Sequence, residues 1–470
     1  MTTTSNYMRR GLRRRKVAAV STAMATLLLA ACGSGGGTSG AASNGGAATG
    51  GGSGSQSFKG QTLTVELLPI TIDAKGYNAY HNAMAKAFFK ATGARVKYVT
   101  TSESSTEQFA QIEATHTGPD VLLKAEDGQA FASGAFVHLT AADWKVLGGT
   151  KQLYPVQLEA CGPKGGPYDE VPMYNVPYVM VYNTKLFKKA GITSPPTTWT
   201  QYVKDAEKIN DPSAGIYGTG FDPSDTQNSD NWKIAFYLSA NYGGALYADH
   251  DLGNTPTIDS APVQKAYEFW YDWYTKYHIV NPASLSWQEP QLQAAFAAGK
   301  IGMLPAVKSQ YEPLYNSGAI GHNYAFATMP SVPYGMNSLP PGGTAPGSFL
   351  SQDGLYIGTY APVKLALQFE KIMLEKKFQV MQYDMTGNMP VTTAAGDQVE
   401  KKAGSLLKPF FKALPSEEPE PFAVSWPVAQ EDIQAMTGKL ASTLATTHHL
   451  ADADIGSALS KTEAEVKSGS

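Results

Sequence analysis

An α/β fold divided into two lobes is what this sequence predicts, and three observations carry that expectation. Strand-like and helix-like stretches alternate from Gln61 to Leu123, the pattern of a parallel sheet covered by helices on both faces. About 410 residues follow the Gly/Ser-rich stretch that ends near residue 57, more than one ordinary hydrophobic core accommodates. A Pro- and Gly-rich segment at 330–347 then interrupts the regular pattern, as a connection between lobes would.

The elements follow in order. "QTLTVELL" (Gln61–Leu68) alternates and is rich in β-branched residues, so it predicts a strand. Tyr80, Met84, Phe88 and Ala91 recur at helical spacing within Asn78–Thr92, with Gly93 as the stop. "ARVKYV" (Ala94–Val99) and "PDVLL" (Pro119–Leu123) are further strands, separated by a helix around Thr106–Thr115. Open sheets bind ligands beyond the carboxyl ends of their strands, which directs attention to loops 69–77, 101–105 and 124–128. "VPMYNVPYVMVYN" from Val171 reads as an aromatic-rich strand pair. Thr197–Ile209 carries one apolar stripe, Trp199, Tyr202, Val203, Ala206 and Ile209, and predicts a helix. Ala261–His278 predicts another, with Phe269, Trp270, Trp273 and Tyr277. "LQAAFAAGKIGML" (Leu292–Leu304) reads as helix, turn at Gly299 and strand. "GLYIG" (Gly354–Gly358) predicts a strand, Val363–Tyr383 one helix, and Gln430–Val466 a helical tail.

The amino-terminal stretch is of another kind. Six basic residues (Arg9, Arg10, Arg13, Arg14, Arg15, Lys16) and no acidic one precede an apolar run from Val17 to Ala31. Such a run is shorter than the roughly 20 residues needed to cross a bilayer and predicts a secretory signal over residues 1–31. The ending Leu29-Ala30-Ala31-Cys32 resembles the bacterial lipobox, which implies lipidation of Cys32; a plain cleaved signal that happens to hold a cysteine is the alternative. Residues 32–57 then supply Gly, Ser, Ala, Thr and Asn without a charge, a tether with a reach of about 25–30 Å as a flexible coil.

Composition excludes several functions. Without residues 1–31, 31 basic residues face 40 acidic ones, a net of −9, with no basic run; nucleic acid is not the expected partner. Only Cys32 and Cys161 occur, so no disulfide framework is expected. No metal-ligand spacing, phosphate loop or G-x-S-x-G elbow is found, and His448-His449 lie in a polar tail. A glycoside hydrolase needs two carboxylates about 5–10 Å apart; the adjacent pairs Glu126/Asp127 and Asp169/Glu170 point apart if they lie on strands. An enzyme is therefore not expected, and neither is a cofactor.

Eight stretches occurring in one order resemble the extracellular solute-binding proteins of ABC importers, specifically the sugar-binding group that includes maltodextrin-binding protein. They are "KGYN" (Lys75–Asn78), "ATGARVKY" (Ala91–Tyr98), "GPDVLLKAED" (Gly118–Asp127), "VYNTKLFKKAGI…PPTTW" (Val181–Trp199), "NYGG" (Asn241–Gly244), "AAFAAGKIGM" (Ala294–Met303), "NYAFATMP" (Asn323–Pro330) and "TGNMPV" (Thr386–Val391). The resemblance implies a periplasmic-binding-protein-like clamp with three hinge crossings, near Asn175–Pro177, Thr328 and Gly387–Met389. Lobe 1 would be 58–174 with 329–387, and lobe 2 would be 175–328 with 388–470. It also implies a monomer that captures a carbohydrate ligand and passes it to an ABC permease. A peptide or polyamine in the same clamp is the alternative.

By family position, Asp127, with Glu126 beside it, falls where an acid binds sugar hydroxyls; Asp127 equally stands where it would cap the helix that follows. Lys75 matches a ligand-contacting lysine. Trp426, in "AVSWPVAQ", matches a tryptophan that stacks on a sugar ring. Tyr311 lies near a second stacking position, although "AVKSQY" replaces the usual "GPW". Trp232 either closes the cleft or anchors its helix, and Trp287 stands in the polar loop "SLSWQEPQ". Two departures stand out: Val176 replaces a hinge glutamate, and Gln430 a basic residue.

Overall fold

The computed structural model describes residues 58–67, 74–100, 105–125, 128–224, 230–248, 252–253 and 255–469. The signal, Cys32 and the tether, together with Glu126 and Asp127 and most of the first two loops singled out above, lie outside these residues. Twelve strands are described along the chain: β1 (Thr62–Glu66), β2 (Arg95–Val99), β3 (Val121–Ala125), β4 (Glu170–Asn175), β5 (Val179–Asn183), β6 (Tyr217–Thr219), β7 (Ile301–Val307), β8 (Tyr324–Ala327), β9 (Phe349–Leu350), β10 (Gln352–Ile357), β11 (Met389–Pro390) and β12 (Glu418–Pro419).

They form two main sheets, each the centre of one lobe. The first runs β11-β4-β10-β3-β1-β2, the second β6-β7-β5-β8, and β12 pairs with β9 in a two-stranded ribbon. Strands β1, β2 and β3 are parallel, as the βαβ alternation requires, whereas β10 runs antiparallel between β3 and β4. Both sheets are thus mixed rather than purely parallel, since β5 is antiparallel to β7 and β8 while β6 is parallel to β7.

Period-two alternation places the cores. In the second sheet Met180 faces one cluster with Trp199, Trp232, Trp270 and Trp273, while Val179 and Val181 face another with Phe296, Tyr315 and Phe410. In the first, Leu123 and Leu355 join Phe88 and Phe369 on one face; Leu122 and Tyr356 join Phe109 and Phe136 on the other. Strands buried on both faces read as near-continuous apolar runs.

That property also explains where the sequence misled. Strands β4 and β5 look like a hairpin, but each belongs to a different sheet, and 176–178 is the first crossing between lobes. The Val363–Tyr383 stretch is two helices, Val363–Met373 and Lys376–Thr386, because the first is closed at Leu374 and Glu375 restarts the chain in an extended conformation. The tail is likewise two helices, Trp426–Thr447 and Asp452–Ser468, turned at His448 in the left-handed conformation. Segment 330–347 contains no strand or helix, as expected, but it packs along the second lobe rather than joining the first, where 329–387 was expected. Val332 bridges Thr198, and the Tyr334 ring stacks 5.7 Å from Phe269.

Candidate functional site

The three chain crossings converge on Asn175, the last residue of β4. Its backbone pairs with Gln352 of β10 on one side and Met389 of β11 on the other. Val176, next in the chain, is half-buried and touches the aromatic cluster of the second lobe as well as the core of the first. An apolar residue here makes the pivot a packing contact.

Beside this pivot lies a nest of rings. Trp232, in the Asp230–Tyr242 helix, and Trp426, first residue of the Trp426–Thr447 helix, meet edge to face at 5.0 Å and 80°. Phe349 lies 5.8 Å from Trp232 and 4.2 Å from Tyr178, and Tyr247 lies 5.8 Å from Trp426. Lys233 sits among them, with Nζ hydrogen-bonded to the Tyr178 hydroxyl and 4.4 Å above the Tyr178 ring centroid. A partly desolvated ammonium over an aromatic face is favourable by about 2 kcal/mol.

Charges ring the nest. Trp426 Nε1 donates to Glu420 Oε2 at 3.0 Å, and Glu420 is 8 % exposed. Burial pushes the Glu420 carboxyl up to about 7; Lys233 and the indole hydrogen bond act against the rise, and Asp353 adds to it. Asp353, in β10, is also raised by burial, while Tyr174, Lys233 and Lys124 oppose the shift. Lys124 bonds Glu66 at 3.0 Å in the first sheet, and Lys308 bonds Glu289 at 3.1 Å in the second lobe. Lys233 is thus faced by two acids. Trp232 is fully buried, and its Nε1 finds no acceptor among the described residues.

The first lobe reaches this nest through the Gly128–Ser133 helix. A Cβ on Gly128 would stand 2.8 Å from the Ala423 carbonyl carbon, and the Phe131 and Phe422 rings are 5.7 Å apart. Only glycine allows so close an approach of two backbones.

The residues expected from the sequence separate into three groups. Trp232 and Trp426 come together, but they are 0 % and 3 % exposed and offer no open stacking face in this conformation. Trp287 and Tyr311 join a different cluster, with Phe296 and Tyr315. Trp287 is half-buried against that core instead of standing out from a polar loop, and Tyr311 lies in a short turn whose Ser309 Oγ donates to the Gly387 carbonyl at 2.7 Å. Lys75 is exposed in the first turn of the Ala74–Thr92 helix. Gln430 is half-buried one turn beyond Trp426.

Sequence reading missed Lys233, Asp353, Glu420 and Tyr178. It missed Asp222 as well, which is 8 % exposed just beyond the carboxyl end of β6, where ligands are held in open α/β sheets. Asp222 lines a cavity of about 30 Å³ with Gln293, Trp270, Trp273 and Ala306. A strand as short as β6 leaves no periodicity to read. The signal for the others was adjacency, since Lys233 follows Trp232 and Glu420 stands six residues before Trp426. Among the described residues no group of His, Cys, Asp and Glu could hold a metal ion, and no helix is long and apolar enough to cross a membrane.

Residues 74–377, more than half of the chain, match the family model for bacterial extracellular solute-binding proteins. The chain belongs to that family. Among curated relatives, the sn-glycerol-3-phosphate-binding periplasmic protein UgpB of Brucella melitensis is 25 % identical over 240 residues, 49 % of this chain and 51 % of the relative. Across the curated relatives it matches, the shared stretch spans between 36 % and 51 % of their length. Solved structures cover more. The maltose-bound MalE3 of T. maritima superposes with a TM-score of 0.68 at 18 % identity, over 87 % of this chain and 100 % of that one. A solute-binding protein of Thermotoga lettingae bound with α-D-tagatose gives 0.67 at 19 %, over 86 % and 100 %. One from Agrobacterium radiobacter in complex with ribitol gives 0.65 at 20 %, over 88 % and 100 %. At these identities the likeness establishes the two-lobed fold of this extracellular solute-binding protein.

Proposed function

We propose that this solute-binding protein captures a mono- or oligosaccharide, or the related polyol, between its lobes and hands it to an ABC permease. The reading includes attachment to the outer face of the cytoplasmic membrane through Cys32 and action as a monomer. The observation that carries it is the nest beside the pivot: two indoles, Tyr178 and Phe349 grouped with Glu420, Asp353 and Lys233. Sugars present flat C–H faces to rings and hydroxyl donors to carboxylates, and charge-assisted bonds to those hydroxyls are the stronger kind. Parting of the lobes would free the Trp426 face and the Trp232 Nε1 donor, and a ligand would close them again by binding both sides. Solved neighbours named for maltose, tagatose and ribitol support the same chemistry.

A phosphorylated polyol is the second reading, favoured by Lys233 and Lys308 near Tyr178 at 4.4 Å and 5.6 Å and by the glycerol-phosphate-binding relative. Calorimetric titration of sugars, polyols and sn-glycerol 3-phosphate separates the two. Saturable binding of a neutral sugar without cleavage is expected; binding of the phosphate ester alone, or sugar turnover in the cell, overturns the proposal. Trp426→Ala should weaken the bound sugar by about 1–3 kcal/mol, the order of a lost aromatic platform. An unchanged Kd removes Trp426 from the site.

A further inference from the structure

The fastening of the pivot stands apart from the ligand nest. Asn175 is fully buried, and its Nδ2 donates to Glu417 Oε2 at 2.5 Å; Gln157 Nε2 reaches the same oxygen at 3.4 Å. Glu417 directly precedes β12, whose partner β9 leads into β10, so this side chain ties the 417–419 segment to the strand on which all three crossings meet. Three buried oxygens are left over: Glu417 Oε1, Asn175 Oδ1 and Gln157 Oε1, none with a donor among the described residues. An ionised carboxylate is an acceptor only and has no hydrogen to offer an amide oxygen. One proton on Glu417 Oε1 satisfies two of the three, Oε1 itself and Asn175 Oδ1, because a carboxylic acid and a primary amide pair through two hydrogen bonds.

We propose that Glu417 is a positioning residue that clasps the hinge as a neutral acid, its Oε1–H donating to Asn175 Oδ1 while Asn175 Nδ2–H donates to Oε2. The groups around it agree. Tyr154 lies near Glu417 and near Asp397 and Glu400; Glu418, next in the chain, is half-buried; and Gln352 Nε2 joins the Gln157 carbonyl to Cys161 and to Glu170, itself fully buried. No lysine or arginine pairs with Glu417 among the described residues. Burial accordingly holds its carboxyl well above the usual carboxylate range.

An acid whose pKa is higher folded than unfolded contributes fully below the unfolded value, about 4.5, and its contribution falls as pH rises toward the folded value. Glu417→Gln keeps both hydrogen bonds with an amide in place of the acid and carries no titrating proton. Thermal unfolding of the full chain, without ligand, is measured from pH 5 to pH 8 for the wild type, Glu417→Gln and Glu417→Ala. Glu417→Gln should match the wild type at pH 5 and exceed it progressively toward pH 8, with a slope flatter by up to one proton, while Glu417→Ala loses stability throughout. Parallel wild-type and Glu417→Gln profiles, or a glutamine variant less stable at every pH, overturn the clasp. Because no sugar enters the measurement, failure here is separate from failure of the sugar reading, which a null titration would show.

Discussion

Trp426 is held from two directions, by Trp232 at its ring and by Glu420 at its indole nitrogen, so it reports on the protonation of that acid. Glu420 is raised to about 7 by burial, so its carboxyl should ionise within the physiological range. An ionised oxygen is the better acceptor for Nε1–H. Tryptophan fluorescence of the ligand-free protein should therefore titrate with a midpoint near pH 7, and Glu420→Gln should abolish that step. A step that persists in the variant assigns it elsewhere. By linkage, the Glu420 contribution to stability is present near pH 4 and declines as pH rises through 7. The sequence singled out Trp426 because its place in "AVSWPVAQ" matches a family tryptophan, and Trp232 as a residue that either closes the cleft or anchors its helix. It could not show that they touch, nor that Lys233 fills the space between Tyr178 and Phe349. Those partners come from four segments far apart in the chain, at Tyr178, Trp232, Phe349 and Trp426, and no periodicity encodes such separations.

Among elements, long periodic segments were legible and their endpoints and pairing were not. The Thr197–Ile209 stripe became the helix Trp199–Ile209, with Thr198 as its cap through a 3.1 Å bond to the Gln201 N–H. By contrast β4 and β5 are apolar on both faces, and such strands look alike whether they pair or part. The short Gly128–Ser133 helix illustrates a contact that only tertiary structure reveals. Its first residue lies against the Ala423 backbone, where a methyl group would meet C, O and N at 2.8, 2.9 and 3.1 Å. Backbone on both sides leaves nothing flexible to move aside. Gly128→Ala should cost about 1–3 kcal/mol by overpacking, measured by denaturant unfolding. Gly438→Ala, with open space around its position in the Trp426–Thr447 helix, should be neutral or stabilising. Equal behaviour of the two variants would show that the 128–423 approach is not tight in solution.

For the whole molecule, the question is what two lobes joined by three crossings can do. Crossings at 176–178, between β8 and β10, and after β11 lie side by side through their pairing at Asn175, so sliding of one lobe over the other is resisted while bending about that line is not. Hinge motions of this kind fall on the μs–ms scale. The conformation described here brings Phe131 of the Gly128–Ser133 helix within 5.7 Å of Phe422, and the proposed reading takes it as the shut state. A shut state without ligand leaves the Trp232 Nε1 donor unsatisfied, at a cost of about 1–3 kcal/mol. On the proposed reading, that cost favours an open form when no ligand is present and a shut form when a sugar oxygen accepts the bond. Small-angle scattering tests this balance. A compact body of this size has a radius of gyration of about 22 Å; the ligand-free protein should exceed that value and contract toward it when a binding sugar is added, and Trp232→Phe, which removes the donor but keeps a ring, should scatter as the smaller form even without sugar. A radius that is the same in all three samples would mean that the lobes do not bend, and that the buried indole is a packing residue rather than part of a clamp.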